Sequence, residues 1–192
     1  MIYLIGVDHL VQYNGPVPEQ IRNEFRSYII EICRMHGVQA IAEEFSDEAL
    51  QKVYHAERET AHEAAEILKI GHRYCDPEEK ELAEMGIPYY FDVMQEVKNK
   101  YSISGTFIVD DTLREKVKKE AADIIRSYWS IREEYWCKRI RDIIELPILF
   151  ICGHEHVLRF RSLLITKGYQ CTIIDPFWKS DLFRNYGNFN LV

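Results

Sequence analysis

The chain has 192 residues, 47 % of them hydrophobic and 29 % charged, with a formal net charge of −7. These figures fit one soluble globular domain with material for a sizeable core. The acidic balance argues against a nucleic-acid partner, which demands clustered Lys and Arg, and no run nears the roughly 18 apolar residues of a membrane span. Cys33, Cys75, Cys137, Cys152 and Cys171 show no Cys-x-x-Cys spacing, so neither a disulfide framework nor a thiolate zinc site is expected. With no signal-peptide pattern, the expected location is a reducing cytoplasm.

In chain order, the apolar run from Ile2 predicts a strand over about 2–7, followed by the turn-rich Tyr13-Asn14-Gly15-Pro16. Ile21, Phe25, Tyr28, Ile29 and Ile32 recur at helical spacing and predict a helix over about 18–35, ended at Gly37. A strand over 38–43 follows at once. Such a strand–helix–strand unit favours parallel pairing with a right-handed crossover. Ser46-Asp47-Glu48 marks a helix start. The stretch to Lys69 is acidic and poor in large apolar residues, so a middle segment of about 46–86 is expected to cover the site as a lid rather than build the core.

Residues 71–77 read as loop, 78–85 as a helix stopped at Gly86, 87–91 as a third strand and 102–106 as loop. One long helix is expected over about 110–144, with Pro147 marking its end. A strand over 147–152, a helix over 156–166 closed by Gly168, a strand over 169–174 and a loop-rich tail over 175–192 complete the chain. The expected architecture is α/β: a single domain over 1–192, with a central mostly parallel or mixed β-sheet flanked by helices and the site at the carboxyl ends of the strands.

Two matching motifs carry the chemistry. Gly6-Val7-Asp8-His9 closes the first strand and Gly153-His154-Glu155-His156 closes the strand near 150. Each places a histidine three residues after a strand-end glycine, where the backbone turns sharply, takes positive φ or admits a close approach. Glu43 and Glu44 end another strand and point to opposite faces. A carboxylate buried there needs a partner or a metal, and Glu44, further out, is the preferred site acid. If the backbone stays extended, His154 and His156 lie on the same side.

The candidate metal ligands are therefore His9, Glu44, His154 and His156. The candidate catalytic residues are Glu43, Glu44, Arg132 and Glu155, with Glu43 or Glu155 orienting a histidine. A divalent metal (Mn, Co, Zn or Fe) at such a site lowers the pKa of bound water; the same groups can also activate water as general bases. Arg132 shares a helix face with Trp136 and Ile140; its expected role is to steady a developing oxyanion, the alternative being to hold a site glutamate. His72 and Asp76 read as ordinary loop polarity, His55 and His62 as a solvated face, and His36 as a helix C-terminal residue.

These residues together resemble the TraB/PrgY family and its relatives, the Tiki metalloproteases, the GumN-like proteins, the haem-binding ChaN proteins and the erythromycin esterases. The resemblance runs from Ile2 to about Ile174. His9 and His156 match the two family histidines, Glu43 or Glu44 the glutamate, and Arg132 the arginine. The chain departs at Val7, where a hydroxyl residue is common, at His154 and Glu155, where small residues are common, and at Glu133, where TraB-like proteins often have asparagine. The resemblance implies metal-dependent or His/Glu-assisted hydrolysis of an amide or ester bond in a small-molecule or peptide substrate. The alternatives are a haem-, metal- or anion-binding protein without turnover, in which Tyr89, Tyr90 and the aromatics of 128–136 line a pocket, and a peptide-binding regulator. A homodimer is an expected assembly.

Overall fold

The structure is a computed structural model and describes residues 1–13, 17–52, 56, 59–103, 110–143 and 145–179. The turn at 14–16, His55, most of the 102–106 loop, the helix end at 144 and the tail beyond 179 lie outside these residues.

In order the elements are β1 (Ile2–Val7), a 3-10 turn (His9–Val11), α1 (Glu19–His36), β2 (Ala40–Glu43), α2 (Asp47–Lys52), α3 (Thr60–Leu68), β3 (Gly71–Tyr74), α4 (Glu79–Glu84), α5 (Tyr90–Lys100), α6 (Asp111–Arg126), α7 (Trp129–Arg141), β4 (Ile148–Gly153), a second 3-10 turn (His154–His156), α8 (Val157–Thr166) and β5 (Cys171–Asp175). Among the described residues the five strands are all parallel, in the order β3-β2-β4-β1-β5. The fold is α/β, with helices covering a fully parallel sheet, as parallel sheets require.

Side chains alternate across a strand, and the sheet uses both faces. Ile5, Val7, Ile41, Leu149 and Ile151 pack with Phe25 and Ile29 of α1 and with Ala61 and Ala64 of α3. Leu4, Ala40, Ala42, Phe150 and Cys152 pack with Trp136 and Ile140 of α7 and with Phe160 and Leu164 of α8. Odd positions of β2 therefore face α1 and α3, and even positions face α7 and α8. β1 and β4 end level, with Val7 paired with Gly153, and β2 ends two residues earlier, with Glu43 paired with Ile151. Their carboxyl edges thus lie side by side.

Several expected elements differ. Residues 71–74 form the edge strand β3, paired with β2 at Glu43–Tyr74; its polar composition hides a strand whose half-buried positions alternate. The run at 87–91 is not a strand. Tyr90 opens α5 instead, since a short apolar run does not by itself separate strand from helix. The long helix is two. α6 buries Val117 and Ala121 in a small cluster with α5, whereas α7 buries Trp136 and Ile140 against the sheet, and one straight rod does not serve both. The segment after Ser46 does build core: Ala61, Ala64 and Ala65 of α3 lie in the main cluster, their small side chains allowing close packing on α1. Among the described residues no helix is long and apolar enough to cross a membrane.

Candidate functional site

Glu44 follows the last residue of β2 and is pinned by its backbone, whose N–H donates to Ile151 O at 3.0 Å. Even parity sends its side chain to the α7/α8 side. There Glu44 Oε2 accepts from the Gly153 N–H at 2.8 Å, and Oε1 accepts from an Arg132 terminal nitrogen at 3.2 Å. His156 Nε2 approaches Oε1 at 3.4 Å and His9 Nε2 approaches Oε2 at 3.8 Å. Two histidines about 150 residues apart, the glutamate and the arginine thus meet around one carboxylate. Burial pushes the Glu44 carboxyl up, but His156, His9, Arg132 and the Gly153 N–H outweigh burial and hold it below the ordinary range. Glu44 is a buried anion.

Both imidazoles are fixed from behind. His156, buried, is bonded through Nδ1 to Glu133 Oε1 at 2.8 Å and is flanked by the rings of Trp129 and Trp136, 4.2 and 5.0 Å away between centroids. His9 Nδ1 lies 2.8 Å from Gln12 Oε1. The His9 side chain is 37 % exposed, against 5 % for His156, so His9 forms the open edge of the group. Arg132 does not point out to solvent. Its Nε and one terminal nitrogen grip Asp76 at 3.0 and 2.7 Å, a two-pronged pairing that fixes the guanidinium plane. The Trp136 indole N–H also donates to Asp76 Oδ1, at 2.8 Å. Arg132 therefore holds the site glutamate, the second of its two expected roles.

Close approach explains the two motif glycines. A Cβ at Gly153 would sit 2.9 Å from His9 Nε2 and 3.4 Å from Glu44 Oε2. One at Gly6 would sit 2.2 Å from the Pro176 carbonyl oxygen. The first glycine makes room for the tail and the second for the histidine of the other motif.

His154 and Glu155 stand apart from this centre. The backbone there is a 3-10 turn, so His154 and His156 do not share a side as in an extended strand; the His154 ring packs on Phe177 at 5.2 Å. Glu155 is exposed and pairs with Arg126 at 3.1 Å. Glu133 takes the histidine-orienting role that Glu43 or Glu155 was expected to fill.

Glu43, one residue earlier, turns to the α1/α3 side. His72 Nε2 sits 2.7 Å from Glu43 Oε1 and 3.2 Å from Glu59 Oε1. Glu59 caps α3, accepting from the backbone N–H groups of Ala61 and His62 at 2.6 and 2.8 Å, and accepts from the Tyr74 hydroxyl at 3.1 Å. Burial disfavours a charged His72, but hydrogen bonds to both carboxylates overcome it and raise the ring to about 10. Burial and the Glu59 charge push Glu43 up, whereas hydrogen bonds and charge from His72 hold Glu59 down against burial.

Among the described residues it is Glu59, His62 and His72, not the set around Glu44, that bring one ligand atom each within 4.8 Å of the others. Their chemistry suits a metal poorly. The His62 and His72 rings are stacked at 4.6 Å and 14°, so their in-plane lone pairs lie in nearly parallel planes and do not meet at one point, and His72 is the anchor of two carboxylates. The Glu44 set has the better donor chemistry, two imidazoles each held at Nδ1 plus a carboxylate.

Sequence reasoning missed Asp76, Glu133, Gln12, Glu59 and His72 as parts of these networks. Asp76 and His72 were visible as polar residues but lay in a stretch read as loop. Glu133 was hidden in a run of helical charge. The chain matches no family model, no curated protein and no solved structure.

Proposed function

We propose that this centre hydrolyses an amide or ester bond, with water activated between His9 and Glu44. The carrying observation is the approach of His9 and His156 to one buried, ionised carboxylate, at 3.8 and 3.4 Å. A water spanning His9 Nε2 and Glu44 Oε2 meets two acceptors. His9 takes its proton as general base, and Glu44 stabilises the imidazolium that forms. Arg132 and the Gly153 N–H keep Glu44 charged and in place. His156, oriented by Glu133, is the candidate general acid toward the leaving group. The motif resemblance to Tiki-like proteases and erythromycin esterases agrees with this reaction class.

The donor set also suits a divalent metal of the Mn, Co, Zn or Fe type, held by His9, Glu44 and His156; when bound, such an ion would lower the pKa of a water toward about 7. A haem-binding reading draws less support, because His156 is buried between the rings of Trp129 and Trp136.

The test is turnover of p-nitrophenyl acetate and of peptide p-nitroanilides by the purified chain, before and after chelation and after reloading with Mn, Co or Zn. His9→Ala should lower turnover at least about 100-fold, the scale of general acid–base catalysis, with thermal unfolding nearly unchanged, whereas His156→Ala should lower both turnover and unfolding temperature, because it strips a buried partner from Glu44 and Glu133. Turnover that survives chelation identifies direct water activation; turnover lost and restored by metal identifies the metal form. Full activity in both variants overturns the proposal.

A further inference from the structure

Gln12 is fully buried, and its side-chain amide joins the two acid networks. Its Nε2 donates to Glu43 Oε2 at 3.0 Å, and its Oε1 faces His9 Nδ1 at 2.8 Å. The backbone around it is fixed from both sides: Gln12 N–H donates to His9 O at 3.1 Å, Thr60 N–H donates to Gln12 O at 2.7 Å, and the Thr60 hydroxyl donates to Val11 O at 3.2 Å. The residue therefore has little freedom to move, and only the sense of its amide remains to be chosen.

An amide has one accepting and one donating end, and a carboxyl oxygen that carries no proton only accepts. His72 already directs a proton at Glu43 Oε1, leaving Oε2 as the acceptor for the Gln12 NH2 group. The amide oxygen must then face His9, and an oxygen there accepts only from a protonated Nδ1. We infer that Gln12 is a positioning residue: it fixes the proton of neutral His9 on Nδ1 and so directs the Nε2 lone pair at Glu44. The free histidine side chain prefers the opposite tautomer, so the protein selects the less common form. Reversing the amide would need a proton on Glu43 Oε2 and would leave His9 protonated on Nε2, so the ring itself reports which arrangement holds.

The tautomer is independent of the hydrolytic reading; only its catalytic consequence rests on that reading. Long-range 1H–15N spectra of the histidine rings test it, using the chelator-treated 192-residue chain at a pH where His9 is neutral and His9→Gln to assign its signals. Wild-type His9 should show the Nδ1–H pattern. In Gln12→Met it should revert to Nε2–H, while His36, at the far end of α1, keeps its pattern. An Nε2–H ring in the wild type, or an unchanged Nδ1–H ring in Gln12→Met, overturns the inference, and the wild-type spectrum decides even if the variant fails to fold. With p-nitrophenyl acetate as probe, Gln12→Met should lose about 10–100-fold in turnover, as removal of a group that orients a working histidine typically does. A chain with the Nδ1–H ring but no turnover keeps Gln12 in this role and defeats only the hydrolase proposal.

Discussion

Glu43 and Glu44 are adjacent, both buried, and opposite in company. Glu44 meets a guanidinium, a backbone N–H and two imidazoles, and one of those imidazoles reaches solvent. Glu43 meets a second carboxylate, a histidine locked between the two acids, and an amide, all enclosed by α3 and the sheet. The comparison teaches that burial alone does not make a carboxylate reactive. Partners pull Glu44 down and keep it charged beside an accessible base, whereas the enclosed pair spends its charge on holding α3 and β3 together.

The largest effect expected from breaking this contrast is at Glu44. Glu44→Gln should cost about 3 kcal/mol in denaturant unfolding, the low end for breaking a buried ion pair, because Arg132 keeps Asp76. Glu43→Gln should cost only about 1 kcal/mol, near the net worth of one hydrogen bond, since it also relieves repulsion with Glu59. A larger loss at Glu43 would reverse the ranking of the two networks.

Next comes Gly153→Ala. Its methyl would displace the His9 ring, and a misplacement of about 1 Å in a reacting group can lower turnover about 100-fold. Unfolding midpoints compared with rates separate this from a general loss of structure.

The enclosed side should show itself through pH. From about 6.5, the ordinary histidine value, to about 10, folded His72 keeps a proton that the unfolded chain has released. The folded state binds more protons in that window, so stability falls as pH rises, by up to about 1.4 kcal/mol per pH unit for one proton. Equilibrium unfolding at a series of pH values should show this slope in the wild type and a flatter one in His72→Gln. Smallest is Glu155→Gln, which removes only an exposed pair with Arg126 and should change stability by less than about 1 kcal/mol and turnover not at all. A large rate loss there would return Glu155 to the centre.

Much of this was legible in the chain. The apolar runs at 2–7 and 148–152 and the helical periodicity of 18–35 depend on local pattern, and they place His9 and His156 at strand ends. The parallel direction of β1 and β2 follows from the short strand–helix–strand unit ending at Glu43, although the two are not paired, because β4 lies between them. What stayed hidden depends on distant contacts. β3 is a strand because β2 offers it a ladder, although His72-Arg73-Tyr74 carries no apolar signal. The break between Arg126 and Trp129 has no Gly or Pro to announce it; it exists because two separate cores claim the two halves. Asp76 acquires meaning only once α7 brings Arg132 and Trp136 above it. Alternation along a strand told Glu43 from Glu44 in principle, but which face held the histidines required knowing where α7 and α8 pack.

β2 is hydrogen-bonded on both flanks, to β3 and to β4, and Gly37 closes the preceding helix in a left-handed turn at φ 63°. The count of residues from that turn to the sheet edge is therefore an address. Shortening the run 38–42 by one residue would set Glu44 in the caged place beside His72 and bring Phe45 to the histidines, leaving Arg132 facing the wrong neighbour, with the composition of the sheet almost unaltered.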